Sequence, residues 1–240
     1  MAPTPVQTRG MKNAWAPGEA ETLQRNDAWL MQVVEAFGLC PFARTCRTED
    51  RLLREVVPQS DWQPVVQERL LALQQTTDGD FEVGLVLVPQ ASRDPREFER
   101  QVRQLADLTQ TQLAKQGVVA ACHVVAFHPL MPFVPTTAAG LTGLWRRSPD
   151  PTLQLVRKSV LDTLRERQAP LRFVDVGQVG DLQQWLQAHR EEARQGLSAR
   201  IAATNAQTFA LDGQQIAALL AKLALPTAGR DEAEPFAEAP

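Results

Sequence analysis

The chain has 240 residues, 44% of them hydrophobic and 22% charged, with a formal net charge of -3. That length suits one large α/β domain or two small ones, and a compact chain of this size hides roughly 70–75% of its unfolded surface, enough for a real core. The balance of 25 Lys and Arg against 28 Asp and Glu offers no basic face to nucleic acid. No apolar run approaches the ~20 residues of a membrane span.

Other counts narrow the chemistry further. Three cysteines fit a reducing cytosol better than a disulfide framework. The N-terminus lacks the apolar block of a secretion signal, so a cytoplasmic location is expected. There is no Tyr, and the only histidines are His123, His128 and His189, so tyrosine chemistry is excluded and an imidazole-rich metal site is not expected.

Residues 1–17 are rich in Pro and lack periodicity, which predicts a disordered tail. Leu30, Val33, Val34 and Phe37 recur at helical spacing and place a helix over about 19–37. Gly38 is positioned to stop it in the left-handed conformation. A strand is expected over 52–57, a helix over 62–75, and the most apolar strand over 81–88. Asp94-Pro95 reads as N-cap and first helical position of a helix closed by Gly117. Residues 118–127 form the third strand. Strand-helix-strand-helix-strand order with such connections implies parallel neighbours in an α/β layered domain.

The stretch 128–147 has no pattern of its own, and unpatterned loops beyond ~12–15 residues are usually functional or mobile. Pro149 and Pro151, with Ser148 or Asp150 as cap, predict a helix carrying Leu153, Val156, Val160 and Leu164 inward. Residues 171–176 read as a short edge strand. Helices are expected over 181–208, interrupted near Gly196, and over 213–225, followed by a disordered Pro/Ala/acid tail. The expected fold is a single α/β domain over 18–170, with a small, mainly parallel three- to four-stranded sheet flanked by helices. A C-terminal helical extension over 171–225 would pack on it and offer a surface for a homo-oligomer.

Four groups of residues carry candidate chemistry. His128 stands just past a buried strand, where open α/β sheets bind ligands; it reads either as an acid/base or as a ring that bonds loop backbone and packs on Pro129. Cys40 gains thiolate character if Pro41 opens a helical turn and Arg44 and Arg47 lie close. The end of the preceding helix and burial between Leu39 and Phe42 argue the other way. Cys46 is a candidate resolving thiol, although the spacing is not CxxC. Cys122 and His123 point to opposite faces of a strand and cannot easily grip one ion. Arg146, Arg147 and Arg157, with Ser148 at the expected helix start, read as a clamp for phosphate or carboxylate, or as a solvated basic edge. No Gly-rich phosphate loop, GxSxG elbow or HExxH is present, so the sequence names no cofactor.

Three blocks resemble a known family when taken together: Leu39-Cys40-Pro41-Phe42-Ala43, Phe127-His128-Pro129, and Arg147-Ser148-Pro149-Asp150-Pro151 with Leu153-Gln154-Leu155-Val156-Arg157. In order and spacing, from about Trp29 to Arg165, they are similar to the bacterial and plant family known as domain of unknown function 1415. That family favours Asn where Arg146 stands, Tyr where Asp150 stands and His where Gln154 stands. The resemblance implies an α/β domain and an association of these blocks, and supplies no activity. The reading that follows is a cytosolic protein that binds or converts a small anionic metabolite. His128 and Cys40 would be its catalytic groups, and Arg147, Ser148, Arg157 and Arg44 its ligand contacts. The alternatives are a non-catalytic binding or regulatory module, and a thiol redox sensor using Cys40 and Cys46.

Overall fold

The structure is a computed structural model that describes residues 17–40, 42–77, 79–134, 138–167 and 197–224. The first helix, α1 (Pro17–Trp29), runs on without a break into a π-helical segment, Leu30–Glu35. Gly38 ends it with φ 59°, and the Leu39 N–H bonds back to the Val34 carbonyl at 2.9 Å, the left-handed stop expected from the sequence. A short helix, α2 (Ala43–Thr48), leads into β1 (Leu52–Val56). The helix α3 (Gln63–Gln74), strand β2 (Val83–Leu87) and helix α4 (Pro95–Lys115) follow. Asp94 caps α4 through a 3.0 Å bond from the Arg96 N–H, with Pro95 at the first position. Next come β3 (Cys122–Phe127), α5 (Ala138–Trp145), β4 (Thr152–Arg157), α6 (Lys158–Arg167) and α7 (Leu197–Leu223).

The four strands form one sheet in the order β1-β2-β4-β3. β1 and β2 pair in parallel, and β4 runs antiparallel between β2 and β3. The sheet is therefore mixed, with three strands pointing one way and one against them. This corrects the helix expected from Pro149 onward. Residues 152–157 are strand, and the helix begins only at Lys158. The chain already runs alongside β2 at Pro151, whose carbonyl accepts the Val88 N–H at 2.9 Å. From there β4 gains hydrogen-bond ladders on both flanks, which outweighs the local helix signals of two prolines and a capping Ser. Neither Ser148 nor Asp150 caps a helix; the Ser148 hydroxyl bonds the Asp150 carbonyl at 2.7 Å.

Two further differences are local. Within the stretch read as patternless, residues 138–145 are helical. The C-terminal helix α7 continues through 208–213, where a break was expected; Gly213 there lies under the Phe209 ring, so close that a Cβ would come within 2.6 Å of it. The expected strand over 171–176 and the helix over 181–196 lie outside the described residues.

Helices cover both faces of the sheet. On one face α3 and α4 bury Trp62, Leu70, Phe98 and Val102 against Val86, Leu153 and Leu155. On the other, α1, its π segment and α7 bury Trp29, Val33 and Ile216 against Val83, Leu85 and Leu87. Among the described residues no helix is long and apolar enough to cross a membrane.

Strand register sorts the sheet into two rims. Leu52, Val83, Val156 and His123 lie across one end, the amino rim; Val56, Leu87, Thr152 and Phe127 lie across the other, the carboxyl rim. Four residue steps of strand separate them, roughly 13 Å.

Candidate functional site

The carboxyl rim is where ligands of open α/β sheets bind, and two of the three sequence blocks meet there. His128 follows β3 directly. Its backbone N–H bonds the Arg146 carbonyl at 2.9 Å, which ties the Phe-His-Pro and Arg-Ser-Pro blocks together. The ring bridges two loops: Nε2 lies 3.1 Å from the Ser92 carbonyl, and Nδ1 lies 3.1 Å from the Leu130 N–H. A carbonyl only accepts and an N–H only donates, so Nε2 carries the proton and Nδ1 accepts. The ring is 2% exposed and packs at 5.7 Å from Phe98. Burial lowers its pKa, partly opposed by the Ser92 bond and by Asp94. His128 is thus a neutral clasp with both nitrogens occupied.

The rim arginines differ in what neutralises them. Arg25 of α1 forks onto buried Asp150, with bonds of 3.1 and 2.8 Å. Arg146 bonds the Ala126 carbonyl through Nε and Glu99 through Nη2, each at 2.9 Å. Asp150 and Arg146 thus both sit in ion pairs. Arg147 gives Nε to the Met131 carbonyl at 2.9 Å and lays its guanidinium 4.9 Å from the centre of the Phe133 ring. It is half-buried, and burial lowers its pKa. Among the described residues no carboxylate pairs with it. A desolvated guanidinium ordinarily finds an anion; at Arg147 the Nη groups are left for one.

Among the described residues, two more polar groups at this end lack partners. Asn26 sits in the buried stripe of α1 and is 1% exposed, yet neither Oδ1 nor Nδ2 has a hydrogen bond. Trp145, at the end of α5, has a buried Nε1 that donates to nothing. The sequence reading missed both. The available signal was Thr22 and Asn26, one turn apart on the same stripe as Trp29, Leu30 and Val33, where polar residues are out of place.

The remaining predicted residues gather at the amino rim. Cys40 precedes α2, and its thiol receives backbone N–H groups from Phe42 and Ala43, but burial dominates and raises its pKa. Cys46 is fully buried and donates to Glu82 Oε2 at 3.2 Å. Burial, then the bond to Glu82, push its pKa far up. Raised pKa values hold both thiols protonated, and Cys46 is shielded as well, whereas reactive cysteines need an exposed low-pKa setting. Arg44 is largely exposed, 3.7 Å from Glu35. Glu35 takes a two-bond fork from Arg47, which holds its carboxyl below the usual range. A cavity of about 400 Å³ opens beside these groups, lined by Phe42, Thr45, Arg51, Glu82, Ser159 and Val160 among others.

Arg157 ends β4 at this same amino rim. It is 1% exposed and bonds the Phe81, Thr76 and Thr77 carbonyls and the Thr76 hydroxyl, with its guanidinium 4.4 Å from the Phe81 ring centre. The strand that replaced the expected helix sends Arg147 and Arg157 to opposite rims, so they do not form one clamp. His128 and Cys40 are separated in the same way. What the carboxyl rim does bring together is His128, Arg147 and Ser148, and, from α1, Arg25 and Asn26.

The fold is thus that of a two-faced α/β protein with a mixed four-stranded sheet and a polar, incompletely paired carboxyl rim. The chain belongs to the family described as Protein of unknown function (DUF1415), whose pattern matches residues 21–171. That span holds all four strands, α2 to α6 and most of α1. No curated protein and no solved structure matches the chain.

Proposed function

We propose that the protein binds a small anionic molecule at the carboxyl rim of its sheet, with Arg147 as the charged contact. The observation that carries this reading is the half-buried Arg147 guanidinium, held by Met131 and Phe133 with no carboxylate beside it among the described residues. The unpaired Trp145 Nε1 is a further donor at the same end. Binding rather than turnover is favoured, because His128 spends both nitrogens on backbone and Cys40, half-buried with its pKa raised, lies at the far rim. The setting we assign is a reducing cytosol, supported by three cysteines of which none is in a disulfide. A small ligand is favoured over nucleic acid by the near-balanced net charge of -3.

Thermal-shift titration with succinate and with inorganic phosphate tests this. Wild type should gain stability, by about 2.7 kcal/mol when ligand stands at a hundred times its Kd. Arg147→Gln keeps a donor N–H for the Met131 carbonyl and loses the charged fork, and should show little or no gain. An equal gain in wild type and Arg147→Gln would overturn the reading.

A further inference from the structure

Asn26 is anomalous within its own helix. One turn earlier, buried Thr22 satisfies its hydroxyl twice, donating to the Gly18 carbonyl at 2.9 Å and accepting from Arg25 at 3.1 Å. Asn26, 1% exposed, leaves a donor and an acceptor open. Well over nine-tenths of buried backbone polar groups, and the large majority of buried side-chain polar atoms, are paired in folded proteins, and each orphan costs roughly 1–3 kcal/mol. A leucine would fill a similar volume without that cost. Local rules of this kind are broken mainly at functional sites.

Its neighbours fix what it faces. On one flank Asp27 pairs with Arg54 of β1; on the other Trp29 meets Phe127 of β3 edge-on at 6.0 Å. Asn26 therefore lies between them, over β2 and β4. Leu153 and Leu155 of β4 belong to the opposite face, so the alternation of the strand turns Gln154 toward the α1 side. Gln154 is only part-buried there. Arg25, next to Asn26, is tied to Asp150, whose carbonyl holds Ser148, the residue after Arg147. Phe133, covered by the Arg147 guanidinium, packs against the same cluster as Leu23 and Trp29 of α1, so Asn26 and Arg147 share a face, and the Arg25–Asp150 pair sets this part of α1 at the same rim.

We infer that the Asn26 carboxamide reads an amide edge on the ligand. A carboxamide with both atoms open is complementary to a group presenting an N–H and a C=O side by side, as in a lactam, a ureide or a primary amide. Two parallel hydrogen bonds then close a ring, the geometry by which Asn reads an adenine edge. The ligand class is a small carboxylate or phosphate that carries such an edge. The inference rests on the anion reading above, which supplies Arg147 as the charged contact.

The test uses full-length protein and three probes in calorimetry: 2-pyrrolidone-5-carboxylate, cyclopentanecarboxylate, which lacks the amide edge, and 2-pyrrolidone, which lacks the charge. Wild type should prefer the lactam acid to cyclopentanecarboxylate by about tenfold or more, since a site built to hydrogen-bond rejects the analogue that cannot. Asn26→Leu should melt above wild type without ligand, while the preference collapses to about onefold. Equal affinity of wild type for the two acids overturns the amide edge and leaves the anion reading standing. Failure of all three probes to bind overturns the two together, and binding of 2-pyrrolidone with neither acid overturns the anion reading and the ligand class that rests on it, leaving only the amide edge. A lower melting point for Asn26→Leu with the preference intact assigns Asn26 to packing and overturns the inference. The wild-type comparison decides the matter even where that variant does not fold.

Discussion

Protonating His128 would turn its Nδ1 from an acceptor into a donor facing the Leu130 N–H, so one of the two loop contacts would be lost. Burial already holds the ring's pKa below its ordinary value of 6.5. An unfolded chain takes up this proton below pH 6.5 and the native chain does not, so the unfolded state binds more protons there. Stability therefore falls as pH drops from 6.5 toward the lower native value, and is unaffected by this group above it. Glu35, lowered by Arg47, loses its contribution only in the more acid carboxylate range. Glu55, raised by burial, acts in the opposite sense. In denaturant titrations between pH 7 and 5, wild type should lose midpoint. His128→Gln, which keeps a donor N–H for Ser92 without titrating, should flatten that loss, at a cost on the order of 1 kcal/mol at pH 8. Parallel curves for the two proteins would exclude His128 as the group. At this scale the strand-end position of His128 was legible in the sequence, but its ring bonds were not, because Ser92 lies 36 residues away. Asn26 was hidden for a different reason, because a single polar residue in an amphipathic helix carries no sign of whether it is paired.

Elements that could be read from local chemistry are where the sequence puts them. The Asp94-Pro95 start of α4, the Gly38 stop after α1 and the apolar run of β2 are each fixed by neighbours a few residues away. β4 is not. Thr-Leu-Gln-Leu-Val-Arg fits a strand with Leu153 and Leu155 on one face, and it equally supplies Leu153 and Val156 to a helical stripe running on to Val160. The choice is made by β2 and β3 on either side, which are distant in sequence. That one element also decides the site, since it carries Arg157 away from Arg147. The short helix α5 has its own local requirement. A Cβ on Gly143 would stand 1.7 Å from the Pro132 carbonyl oxygen and 3.1 Å from the Phe133 Cα, so α5 seats directly on the loop that supports Arg147. Gly143→Ala should force the two apart and cost about 1–3 kcal/mol of unfolding free energy. It should also weaken the succinate-induced shift, because Met131 and Phe133 move with the loop. A variant as stable as wild type, with the shift unchanged, would show that α5 does not set the rim.

Across the whole molecule, the two ends of the sheet divide the polar chemistry between them. At the amino rim the charged groups are mostly paired, Arg157 on the 76–81 carbonyls, Cys46 on Glu82 and Arg51 on Glu82 and Glu49, with Arg51 Nε left unbonded among the described residues beside the cavity. The carboxyl rim ties its loops through His128, Arg25 and Arg146, and leaves Arg147, Asn26 and Trp145 open. A buried cation in a web of carbonyls is a stability device, because removing it strands several acceptors at once. Arg157→Met keeps the apolar length of the side chain over Phe81 and deletes the donors. It should lower unfolding free energy by about 2–4 kcal/mol, seen as a shifted urea midpoint. Its affinity for succinate at the opposite rim should stay within about twofold of wild type, the independence expected of sites well apart with no shared partners. Arg147→Gln should do the converse, losing the ligand while holding its midpoint within about 1 kcal/mol. If Arg157→Met remains folded and yet loses succinate, the rims are coupled through β4. The carboxyl-rim site would then have to be redrawn to include the far end of that strand.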